Sequence, residues 1–137
     1  MGLHPLAIQT IILQMIEFIH AGYKVIVSTH SPVLLEFVWA YNYLKNIPED
    51  KRVGALCEVF GMQNSQKYNL NFLNDIYEKD IKTYYFSLVS SGKVNAKDIS
   101  SLDVYSEDVA INEWGGLTQF SSKANEVVSK YMAQYGE

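Results

Sequence analysis

A single cysteine, Cys57, stands in 137 residues. It lies in an apolar stretch, which excludes an intrachain disulfide, suits a reducing cytoplasm and reads as a small buried hydrophobe. Basic residues are also scarce: Lys and Arg number 11 against 15 Asp and Glu, for a net charge of -4. That balance leaves no electrostatic footprint for nucleic acid or anionic lipid, so any nucleic-acid contact has to come through other parts or a partner. The longest apolar stretch, residues 8 to 19, is broken by Gln9, Thr10, Gln14 and Glu17. It falls short of the ~18 uninterrupted apolar residues of a membrane span. No basic segment precedes it, as a secretory signal requires, and Leu6 stands where a myristoylation motif needs Ser or Thr. The expectation is a soluble, cytoplasmic chain with no membrane partner.

Two further absences remove chemistries. Asp98, Asp103, Glu107 and Asp108 lack the spacing of a calcium loop and read as a solvated acidic loop, so no metal site is expected. Ten tyrosines are present, but without the interleaved basic residues of a nucleic-acid channel, which leaves them to core and rim. No internal repeat or low-complexity segment occurs.

With 48% hydrophobic residues, the chain is long enough to bury well over half of its unfolded surface in one domain, 1–137. Pro5 suits a first helical position, and Ile8, Ile11, Ile12, Met15, Ile16 and Ile19 follow at helical spacing until Gly22 ends the helix. Lys24-Val25-Ile26-Val27 then reads as a strand covered on both faces, as in a parallel sheet. Ser31-Pro32 restarts a helix that carries Leu34, Leu35, Phe37, Val38, Tyr41 and Leu44 and stops before Pro48. The fold class is therefore α/β. A helix-strand-helix unit (1–47) gives way near Pro48 to a mixed helical and β-hairpin region (48–137). Helices are expected over 53–60 and 70–77, separated by the polar residues 63–67. A strand over 83–89 turns at Ser90-Ser91-Gly92 toward Lys93-Val94. Trp114-Gly115-Gly116 reads as a tight turn anchored by an indole, and a helix closes the chain from about Ser121.

The residues with most chemical content are Val25-Ile26-Val27-Ser28-Thr29-His30-Ser31-Pro32, an apolar run ending in a polar turn with one histidine. Taken with Gly2-Leu3-His4-Pro5 and the intervening helix, this order resembles the C-terminal part of ABC-class P-loop ATPases. The likeness is to the AAA-type proteins allied to SMC, RecF and overcoming-lysogenization-defect ATPases. It covers about the first third of the chain. Residues 98–103 and 112–117 resemble the tails of some members.

The resemblance implies several roles. Gly2, Leu3, His4 and Pro5 would form a D-loop-like turn at a dimer interface, and His30 would be the switch histidine that reaches the γ-phosphate and orients the attacking water. Thr29 and Ser31 would flank the nucleotide. The intact enzyme would hydrolyse ATP with Mg²⁺ as a homodimer. A donor held at the C-terminal end of a strand fits the positioning that phosphoryl transfer demands. No G-x-x-x-x-G-K-[ST] loop, glycine-rich signature loop or Asp-Glu-terminated strand occurs in the 137 residues. The chain is accordingly expected to be a C-terminal portion that neither grips nor hydrolyses ATP alone. A different class of reading is a non-catalytic interaction domain that docks on a partner through an open sheet edge. His4 as a surface cap and His20 as a surface residue at a helix C-terminus are the simplest readings of the other histidines.

Overall fold

The computed structural model describes residues 4–62 and 72–135. Its contacts divide the chain after Ile81 into two units, each described by itself. Residues after Pro48 thus share a core with those before it.

The first unit is helical. Helix α1 (Pro5–His20) is followed by α2 (Pro32–Leu44), α3 (Glu49–Val59) and a single turn, α4 (Phe72–Asp75), that tightens into a 3₁₀ turn at Ile76–Glu78. The expected helix over 53–60 starts a turn earlier, with Glu49 and Asp50 in its first turn, where carboxylates favour the exposed N–H groups. The expected helix over 70–77 is only partly helical. Residues 63–67, and the first two residues of that expected helix, lie outside the described residues.

The core of this unit is made by Ile12 and Ile16 of α1, Leu35, Phe37, Val38 and Tyr41 of α2, Leu56 and Cys57 of α3, and Leu73, Ile76 and Tyr77. Each aliphatic side chain so buried contributes about 1.5–3 kcal/mol relative to exposure. The buried state of Cys57 agrees with its apolar context, and burial pushes its thiol pKa up. Tyr41 ties the polar end of the core together. Its ring stacks on Tyr77 at 5.3 Å between centroids, and its hydroxyl donates between the carbonyls of Ile76 at 2.7 Å and Lys79 at 2.9 Å. The same carbonyls also accept from the Lys79 N–H at 3.0 Å and the Lys45 ammonium at 3.2 Å, respectively, so the hydroxyl adds a second donor to each.

Strand β1 (Tyr84–Leu88) pairs antiparallel with β2 (Val94–Asp98) in the second unit, with Phe86 opposite Ala96 and Leu88 opposite Val94. The hairpin expected from residues 83–94 is therefore present, closed by a turn in which Gly92 takes φ 74° and its N–H donates to the Val89 carbonyl. After the loop come a one-turn helix, α5 (Val109–Asn112), and the closing helix α6 (Gln119–Tyr135). Asp98 belongs to β2 rather than to the acidic loop. Its carboxylate accepts from both the N–H and the hydroxyl of Ser100, at 2.9 and 2.5 Å, which holds its pKa below the usual value.

The Trp114-Gly115-Gly116 turn forms as the sequence suggests. The buried Trp114 indole N–H donates to the Leu102 carbonyl at 2.9 Å. Both of these residues adopt left-handed backbone, φ 51° and 47°, which is uncommon outside glycine.

The chain thus combines helices with a two-stranded antiparallel sheet, in accord with the expected mixture of helix and hairpin. One expectation fails. The strand expected at Lys24-Val25-Ile26-Val27 is not formed: residues 23–31 have no regular secondary structure, and Ile26 is 97% exposed. A strand exists only through a neighbour's hydrogen bonds. Among the described residues none pairs with this segment, the described sheet being β1 and β2 alone.

Candidate functional site

The turn that carries His30 is fixed at both ends by local chemistry. Upstream, α1 closes on Gly22, whose φ of 92° is the left-handed conformation of a helix-ending glycine. The Tyr23 N–H reaches back to the Phe18 carbonyl and the Gly22 N–H to the Ile19 carbonyl, both at 3.0 Å. The rings of Phe18 and Tyr23 meet edge to face with centroids 6.0 Å apart. This is the full Schellman motif, including its apolar contact.

Downstream, Ser31 is the N-cap of α2. Its hydroxyl oxygen accepts the Val33 N–H at 3.3 Å, and Pro32 occupies the first turn. Thr29 supports the same turn by accepting the Ser31 N–H on its own hydroxyl oxygen at 2.9 Å. Each hydroxyl still has its proton to donate. His30 stands between them, exposed, and makes no hydrogen bond among the described residues. The structure therefore brings Thr29, His30 and Ser31 together on one turn at a helix N-terminus. Two hydroxyl protons flank an imidazole there, a set that suits an anionic group; the Ser31 and Val33 N–H groups are taken by the Thr29 and Ser31 hydroxyl oxygens, and Pro32 has none.

The other predicted residues are not gathered there. Gly2 and Leu3 lie outside the described residues. His4 is the N-cap of α1, its Nδ1 accepting the Leu6 N–H at 3.3 Å, and Pro5 begins the helix. For His4 the cap reading holds. His20 is a surface residue in the last turn of α1, as expected, and its Nδ1 lies 2.7 Å from a carboxylate oxygen of Asp75. That link between α1 and α4 was not visible in the sequence, because 55 residues separate the partners.

The structure also has an open cavity of about 390 Å³ lined by Glu49, Asp50, Arg52, Asn74, Asp75, Tyr77 and Glu78. None of the predicted residues reaches it. Its lining has four carboxylates and Arg52, whose guanidinium lies 3.9 Å from Glu49 and whose Nε donates to the Ile47 carbonyl at 3.0 Å. No three His, Cys, Asp or Glu side chains converge to hold a metal among the described residues. No described helix is long and apolar enough to cross a membrane.

Comparison with protein families, with curated proteins and with solved structures found no match.

Proposed function

We propose that these residues form the switch-histidine portion of an ABC-class ATPase, in which His30 faces the γ-phosphate and Thr29 and Ser31 flank it. The phosphate loop and the Mg²⁺ carboxylate would be supplied by other sequence. The observation that carries this reading is the state of residues 23–31. An apolar segment runs between a helix closed by a Schellman motif and a helix opened by a serine cap, with Ile26 almost wholly exposed. Exposing a β-branched side chain in this way forgoes about 1.5–3 kcal/mol of burial, and both flanking helices are terminated as if for a strand between them. A sheet that accepts residues 24–27 would restore the burial, set the turn at the C-terminal edge of that sheet and aim His30 at a bound phosphate.

In this reading the imidazole positions water and the two hydroxyl donors stabilise charge, the two contributions on which phosphoryl transfer depends. The turn at 2–5 would meet the partner subunit of a homodimer. The reading is tested with and without a chain that bears the phosphate loop and an acidic strand. Alone, the 137 residues are expected to show no thermal shift with Mg-ATP, and a clear shift would overturn the reading. Joined to such a chain, they are expected to hydrolyse ATP. His30→Ala should then lower kcat by roughly 10²-fold or more, within the range of a lost positioning group, with ATP affinity nearly unchanged. Unchanged turnover in that variant would remove His30 from the mechanism.

A second reading is a non-catalytic interaction domain that binds a partner strand through residues 23–28. The same exposed segment favours it, and it is distinguished by partner binding that survives His30→Ala with no nucleotide dependence.

A further inference from the structure

The second unit has two apolar surfaces without a cover. In the hairpin the amphipathic pattern is inverted. Tyr84, Phe86 and Leu88 of β1 and Val94 of β2 point outward, with Phe86 65% and Leu88 79% exposed, while Tyr85 and Ser87 are turned inward. In α6 every described side chain is exposed. Ala124, Val127, Val128, Tyr131, Met132 and Tyr135 nevertheless recur at the i, i+3, i+4, i+7, i+8 and i+11 positions of one face. A stripe of that width is made to lie on a broad surface rather than to form the narrow seam of a coiled coil. A 17-residue helix whose described side chains are all exposed is marginal in water, and so is a lone two-stranded hairpin.

We infer that a second copy of this chain covers both surfaces, α6 of each protomer lying on the hairpin of the other about a two-fold axis. Three observations select this occupant. The surfaces are of complementary kinds, since an amphipathic helix and a one-faced sheet are the two layers that bury each other. Their lengths agree: the α6 stripe and the five-residue strands both span about 17 Å. The area also closes. Each surface offers roughly 450 Å² of exposed apolar side chain, so one docking buries too little for a stable dimer, whereas two related by symmetry bury about 1,800 Å² in total, a standard interface. A single head-to-tail docking would leave a free helix and a free hairpin and would propagate. The two-fold exchange consumes both. Within one chain the two surfaces stay apart, since both remain exposed.

This inference stands apart from the ATPase reading, because neither surface includes the turn at Thr29–Ser31. It is tested by sedimentation equilibrium of the whole chain and of Phe86→Lys and Val128→Lys, both exposed positions where circular dichroism checks that the fold persists. A dimer at tens of micromolar is expected, with each substitution raising the dissociation constant by at least tenfold. A mixture of Phe86→Cys and Val128→Cys chains should form a disulfide-linked heterodimer under mild oxidation. A monomer throughout, or a dimer indifferent to both lysines, would overturn the inference. An intrachain disulfide in the doubly substituted chain, showing that α6 closes on its own hairpin, would do so as well.

Discussion

Gly115 is held by both its backbone and its surroundings. Its φ is 67°, and a Cβ there would meet the Tyr85 ring at 2.5 Å, whereas Gly116, at φ 89°, opens onto free space. Gly115→Ala is expected to destabilise the second unit by about 2–4 kcal/mol, strain plus clash. Gly116→Ala is expected to cost about 1–2 kcal/mol, strain alone. Urea unfolding of the two variants checks the order, and equal losses would show that the Tyr85 ring moves aside. Tyr41 is a second decisive residue: Tyr41→Phe keeps the ring and removes the donor to Ile76 and Lys79, an expected loss of about 1–3 kcal/mol. Residue identity made part of this legible. The Trp-Gly-Gly string announced a turn and Cys57 a buried position, but the ring of Tyr85 over Gly115 brings together residues 30 apart, and no local pattern records that contact.

Helix ends were the most legible elements, because their chemistry is local. His4, Ser31 and Gly22 cap or close α1 and α2 within two to five residues of themselves. Ser31→Ala should therefore lower stability by about 0.5–2 kcal/mol, measured by thermal unfolding, with the larger share of the loss in the first unit. The β-hairpin was legible too, from its β-branched and aromatic composition and its Ser-Ser-Gly turn. The strand at 24–27 was misread for a physical reason. Composition reports how well a segment suits a sheet, but the partner that makes it a strand lies elsewhere, and the described residues do not contain one. The site was legible to the same degree. Thr29, His30 and Ser31 meet on one turn because they are consecutive, while the pairing of His20 with Asp75 and the acidic cavity depend on how helices distant in sequence pack.

At the scale of the molecule, the titratable groups set a pH window. Burial pushes Tyr77 up to about 12 and Tyr41 higher still, from an ordinary 10.0. A raised acid favours the folded state fully below the unfolded value, and that contribution fades as pH climbs from about 10 toward the folded values. Asp98, held down by Ser100, and Asp108, held down by its ion pair with Lys97, act in the opposite sense. Their contribution is present above the usual carboxylate range and is lost as pH falls through their lowered values; Asp98 is exposed and Asp108 only half-buried, so it is small. Stability is expected to be flat from about pH 5 to 8, to begin falling near 9 as the raised Cys57 thiol loses its contribution, and to drop steeply above about 10. Tyr41→Phe should flatten that alkaline drop, and a drop that persists unchanged in the variant would place its origin elsewhere.

The division after Ile81 has a spectroscopic consequence. The chain has two tryptophans, Trp39 in α2 and Trp114 in the turn beside Leu102, one in each unit. Trp39 is partly open to solvent and Trp114 is buried, so their emission maxima differ and each indole reports on its own neighbourhood. A Trp39→Phe chain would give indole emission from the second unit only and a Trp114→Phe chain from the first. With these two reporters, the point at which each half of the molecule loosens can be followed by light alone, and a binding partner that touches only one half would identify itself by the colour it changes.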